Sequence, residues 1–214
     1  MKKTSLIAQL YQRLYPPFCI TSSQFQVFWE SFYSELKNSY ESDNFKKIND
    51  ILNEINYIQG FDIEKLPREL ECDILALLYK IITTMPVKNY LTQINACSIV
   101  NTVSSVRRKR INLTLPWRPL YDFVNFVLLE SDILPLYIDS SQIEDILATI
   151  SNFSCYFEKG STKEIVQILL PKISPISSNA SFYLTLLSRF LPVFEDSKEY
   201  QDWLPDFITE SVDS

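Results

Sequence analysis

The residues best placed for acid–base chemistry are two carboxylate pairs, Glu69 with Glu71 and Asp202 with Asp206. Both pairs fall away from the neighbouring apolar stripes, where solvated surface is expected. Histidine is absent from all 214 residues. That removes the commonest general base, the partner that triads and Cys-His dyads require, and the usual nitrogen ligand of zinc. Glycine occurs only at Gly60 and Gly160, so no GxGxxG and no phosphate-cradling loop can be built. Cys19, Cys72, Cys97 and Cys155 stand far apart with no C-x-x-C pair. Three of them lie inside amphipathic helical patterns, where free thiols act as small buried hydrophobes in a reducing compartment. The expectation is a protein that is not an enzyme, with no catalytic residue, no cofactor site and no metal site.

Charge narrows the partners. Lys and Arg total 20 against 26 Asp and Glu, a formal charge of −6, which argues against a domain that grips nucleic acid along its whole surface. The run Arg107-Arg108-Lys109-Arg110 is the exception. It reads either as a nuclear import signal or anionic contact, or as cations in a helix's last turn that complement its macrodipole and stay solvated. The stretch from Ile7 to Arg13 is too polar for a signal-peptide core, and no window approaches ~18 consecutive apolar residues. A soluble intracellular chain without a membrane partner is expected.

The elements that position these residues are helices. Scarce glycine disfavours strand-rich folds, whose turns and bulges use it, and 46% hydrophobic residues are enough to fill a core. Apolar residues at helical spacing mark a helix over about 5–15, ended by Pro16-Pro17. A second follows a capping box Ser23-x-x-Gln26, with Phe25, Phe28, Trp29, Phe32 and Leu36 on one face, a stripe that reads as core packing rather than a ligand groove. A third covers about 43–59 before Gly60, a fourth runs from Pro67 to Met85, and a fifth spans about 87–106. Further helices are expected after Ser141-x-x-Glu144, after Ser161-x-x-Glu164, over about 179–191, and around Trp203, Leu204, Phe207 and Ile208. The pairs recur at roughly 40 residues, within the range of HEAT-type units. These patterns predict an all-α, HEAT/ARM-like helical-hairpin solenoid of about ten helices, one domain over residues 1–214.

Between the fifth helix and the next lies Leu115-Pro116-Trp117-Arg118-Pro119-Leu120-Tyr121-Asp122-Phe123. Its prolines stop one helical pattern and start another, since proline costs little in a first helical turn. Leu120, Phe123, Val124, Val127 and Leu128 then line one helix face. Trp117, with a large apolar body, and Arg118, with an apolar stem, are expected to seal the corner between two helices.

This motif resembles one in the large single-chain HEAT-repeat proteasome activators. The resemblance extends from about Leu70 to Ile208. It includes the helix ending Leu78-Tyr79-Lys80-Ile81-Ile82, the basic run, Ser154-Cys155-Tyr156-Phe157 and Phe190-Leu191-Pro192, in the family's order. It implies the N-terminal part of a larger solenoid that forms a dome over the core (20S) proteasome and opens its gate without ATP, in nucleus and cytoplasm. Family members are several times longer. Their gate-opening tail ends in a hydrophobic residue, a tyrosine and one more residue, whereas this chain ends Ser211-Val212-Asp213-Ser214, so the tail is expected to be absent here. The family's inositol-phosphate and acetyl-lysine regions have no counterpart in this chain, and no functional residue carries over. A free-standing helical adaptor for some other protein is the alternative.

Overall fold

The computed structural model describes residues 22–56, 66–104, 112–130, 138–173 and 178–191. Within them lie eight α-helices: α1 (Ser22–Glu41), α2 (Phe45–Asn56), α3 (Arg68–Thr84), α4 (Tyr90–Val103), α5 (Arg118–Asn125), α6 (Ser140–Ser154), α7 (Ser161–Leu169) and α8 (Ala180–Phe190). The expected first helix, the helix around Trp203, Cys19, Gly60, Asp202, Asp206 and the run Arg107 to Arg110 lie outside the described residues.

The helices stack in two layers. In one, α2, α4, α6 and α8 each pack on the next, and in the other α1, α3 and α5 do the same. The hairpins α1–α2, α3–α4 and α7–α8 bridge the layers, giving an all-α helical-hairpin solenoid. One continuous apolar core runs through it, from Phe28, Trp29 and Phe32 on α1 to Leu186 and Phe190 on α8. The aromatic stripe of α1 is core packing: Trp29 meets Phe28 and Phe32 edge-on at 5.6 and 5.3 Å, an arrangement that suits the ring quadrupoles.

The α4 helix has apolar residues all round because α2, α6 and α3 cover it on three sides. Two polar clusters join it to its layer neighbours. Thr92 and Asn95 donate to Asn49 Oδ1 at 3.2 and 3.3 Å, and Asn95 also reaches Asn53 Oδ1 at 2.8 Å, all on α2. Toward α6, Asn101 Nδ2 donates to Asp145 O at 3.0 Å, and Asn152 Nδ2 donates to Asn101 Oδ1 at 2.9 Å. Such paired carboxamides fix register between helices whose apolar contacts alone would let them slide.

Helix starts depart from the expected boxes. Ser23 is already inside α1, and Gln26 donates to Glu30 Oε1 at 2.7 Å. The box that opens α6 is Asp139 with Gln142, not Ser141 with Glu144: Asp139 Oδ1 accepts from Gln142 N–H at 2.9 Å while Gln142 Oε1 accepts from Asp139 N–H at 3.0 Å. The Ser141 hydroxyl, the largest cause, and the Gln142 N–H, both donating to it, hold the Asp139 carboxyl below its ordinary pKa. At α7 the N-cap is Gly160 in a left-handed conformation (φ 92°), so Ser161 is already helical and buried. Three expectations about single side chains are also corrected. Glu71 is buried, at 3% exposure, where a carboxylate in the first turn of α3 complements the helix dipole. Cys155 is exposed just past α6, and Cys72 is only half-buried, whereas Cys97 sits in the core. Among the described residues no helix is long and apolar enough to cross a membrane.

Candidate functional site

The chain leaves α4 and reaches α5 through a corner built around Trp117. Ahead of it, Leu115 and Phe157 form a single parallel bridge: Leu115 N–H donates to Tyr156 O at 2.8 Å, and Glu158 N–H donates to Leu115 O at 3.0 Å. The Tyr79 hydroxyl of α3 donates to Pro116 O. That bond uses a carbonyl in a stretch where prolines withhold donors, and it ties the corner to the core. Trp117 is the N-cap residue of α5, with Pro119 in the first turn as the sequence implied.

The Trp117 ring is 2% exposed and lies 5.7 Å from Tyr121 and 6.0 Å from Phe190. Its Nε1–H donates to Glu164 Oε2 on α7 at 2.8 Å, so the one polar atom of a buried ring is paired. Phe190 stacks on Phe157 at 6.0 Å and 21° and meets Tyr121 edge-on at 6.1 Å. On α6, Phe153 meets Tyr79 edge-on at 5.3 Å. Three stretches far apart in the chain, around Trp117, Phe157 and Phe190, thus converge on one aromatic cluster, and Tyr79 is tied to it through its hydroxyl on Pro116 O.

Two cations close its outer side. Arg118 lies over the Trp117 and Tyr121 rings at 5.7 and 5.2 Å and donates from Nε to Asp122 Oδ1 at 3.0 Å. Lys172 Nζ donates to the Tyr121 hydroxyl at 2.8 Å and lies 5.1 Å from the Tyr183 ring. The Tyr121 bond is the main reason its pKa stands above the ordinary lysine value, against desolvation that lowers it. The cluster therefore ties α5, α7 and α8 to the stretch just past α6.

Burial pushes the Tyr79 and Tyr156 hydroxyls well above the ordinary phenol range and the Cys97 thiol up to about 12, so these groups hold their protons at neutral pH. Burial raises Cys72 as well, helped by the neighbouring Asp73 and Glu71 carboxylates. Among the described residues no three His, Cys, Asp or Glu side chains gather as metal ligands. Sequence reasoning placed Trp117 at the corner but missed its partners Glu164 and Phe190 and the lysine on Tyr121. The spacing of 47 residues between Trp117 and Glu164 carries no local signal for that pairing.

The chain is similar to proteasome activator complex subunit 4. The Homo sapiens subunit is 29% identical over 132 residues, 60% of this chain. The Xenopus laevis subunit is 26% identical over 153 residues, 68% of this chain, and subunit 4B of Danio rerio is 25% identical over 150 residues, 67% of it. The chain spans 7 to 8% of the length of these curated relatives. No family model matches it, and no solved structure does. Weak homology to subunit 4 supports the family resemblance in general.

Proposed function

We propose that this chain is a non-catalytic arc of a proteasome-activator solenoid, a HEAT-type domain over residues 1–214 corresponding to the N-terminal part of a larger array that caps the core proteasome without ATP. The observation that carries the reading is the similarity to subunit 4 across 60 to 68% of the chain. The stacked hairpins, tied together by the Trp117 cluster, suit it: a dome needs constant curvature from repeat to repeat. Partner contact then comes from many small patches in register rather than from one pocket.

A short arc presents a small interface, and after the loss of rigid-body freedom a small interface leaves little net affinity. Core proteasome mixed with a large excess of this chain is expected to hydrolyse a fluorogenic peptide at its unassisted rate. A several-fold rise would overturn the reading of the chain as one part of an array. The same family reading puts the protein in nucleus and cytoplasm, and leaves Arg107 to Arg110 as either an import signal or a solvated helix end. Changing all four to Gln in a fluorescent fusion separates the two: a lowered nuclear fraction makes the run an import signal, and an unchanged fraction leaves it a solvated helix end.

A further inference from the structure

The layer formed by α2, α4, α6 and α8 ends differently on its two sides. Among the described residues α4 and α6 have a layer neighbour on each flank, whereas within the layer α2 packs only on α4 and α8 only on α6. The outer surface of α2 is charged: Lys46, Lys47 and Asp50 are exposed and Glu54 is half-buried, the polar outer face that a terminal unit of a stack needs for solubility. The α8 helix carries none of this. Its sole charged residue is Arg189, which is turned onto Glu144 of α6 at 3.1 Å. Its solvent side is Ser181, Leu184 and Ser188, with Leu184 56% exposed, and Tyr183 and Leu187 beside them are half-buried. Leu170, also exposed, stands in the 3-10 turn that packs on α8. A lone exposed leucine needs no explanation. An uncharged flank with leucines on it, at the end of a stack, is a surface left for another element to cover.

We propose that this flank of α8 docks the chain's own segment carrying Trp203, Leu204, Phe207 and Ile208. Residues 192–214 lie outside the described residues and follow directly from Leu191, the C-cap of α8. The four apolar residues are spaced as one face of a helix. The eleven residues between Leu191 and Trp203 span up to ~36 Å when extended, against roughly 16 Å for the length of α8, so the segment can return along it. Charge selects this flank. Residues 192–214 hold seven carboxylates against Lys198 alone, and α8 has no acidic residue to repel them, whereas α2 has Asp50 and Glu54. Lys172, whose Nζ lies 5.1 Å from the Tyr183 ring, adds a cation at the edge. The tether keeps the local concentration of the segment high, so a modest apolar patch is enough to hold it. This pairing is internal to the chain and does not rest on the proteasome reading.

The full chain labelled with 5-fluorotryptophan gives three ¹⁹F signals, from Trp29, Trp117 and Trp203, the last assigned with Trp203→Phe. Trp29 and Trp117, at 0% and 2% exposure, are the buried references. A capped synthetic peptide of residues 199–210 with the same label is the exposed one. The Trp203 signal is expected to shift less between H₂O and D₂O than the peptide signal does, and to keep that shielding on dilution. Leu184→Glu, at an exposed position, sets a carboxylate against an acidic segment that needs an apolar contact. It is expected to bring Trp203 to the peptide value while both references stay in place. Ser188→Glu, on the same solvent side, is expected to act in the same direction. The proposal is overturned if Trp203 already has the peptide value in the parent, or if both substitutions leave its shielding intact. Shielding that is lost on dilution overturns it as well, since a second copy would then be the occupant.

Discussion

Trp117→Ala is expected to destabilise the protein by ~3–5 kcal/mol, the range for truncating a large buried aromatic. The ring is 2% exposed and packs against Tyr121 and Phe190, so its loss opens a cavity that a corner fixed by two prolines cannot close. The Glu164 carboxylate that loses its donor is exposed and turns to water at little cost. For a domain of this size the loss corresponds to roughly 6–20 °C in Tm. A Trp117→Phe variant keeps one six-membered ring and gives up the pyrrole half of the indole with its Nε1–H, so it should cost ~1 kcal/mol for the hydrogen bond plus the packing of the lost ring atoms, and less in all than Trp117→Ala. If thermal unfolding of Trp117→Ala matched the parent within about two degrees, the corner would not be part of the core.

Phe190→Ala is expected to cost a similar ~3–5 kcal/mol, because Phe190 is fully buried and meets three rings from two other parts of the chain. It is the contact through which α8 holds the corner. Combined with Trp117→Ala, it should cost less than the sum of the single changes, with a coupling of ~0.5–3 kcal/mol, since the second truncation falls in a cavity already opened. Chemical denaturation of the four proteins measures that cycle. Strict additivity would mean that the two rings contribute independently and that the cluster does not act as one unit.

What the sequence revealed depended on how far a signal reaches along the chain. Apolar spacing of three and four located α1, α3 and α6, because each buries one face, and the low glycine content pointed to helices. The α4 helix was harder to read since neighbours cover it on three sides, which erases the one-sided pattern that periodicity detects. Helix starts were misplaced by one to three residues where several polar residues competed for the cap: at α6, Asp139 lies two residues before the serine that the motif favoured, and a carboxylate there accepts the same bond. The proline corner was legible because proline acts locally. Its partners were not, since Glu164, Lys172 and Phe190 reach it only through the stacking of hairpins.

The most direct measurement is isolation of the protein, tagged at its own locus, after brief cross-linking in intact cells, followed by identification of the cross-linked proteins. Cross-linking retains contacts too weak to survive dilution and keeps any further part of the array in place. Subunits of the core proteasome, cross-linked to this chain at levels above those of an unrelated helical protein of similar abundance, are the predicted result. Absence of core-proteasome subunits, with some other protein captured in stoichiometric amount, would contradict the account and leave a free-standing helical adaptor in its place.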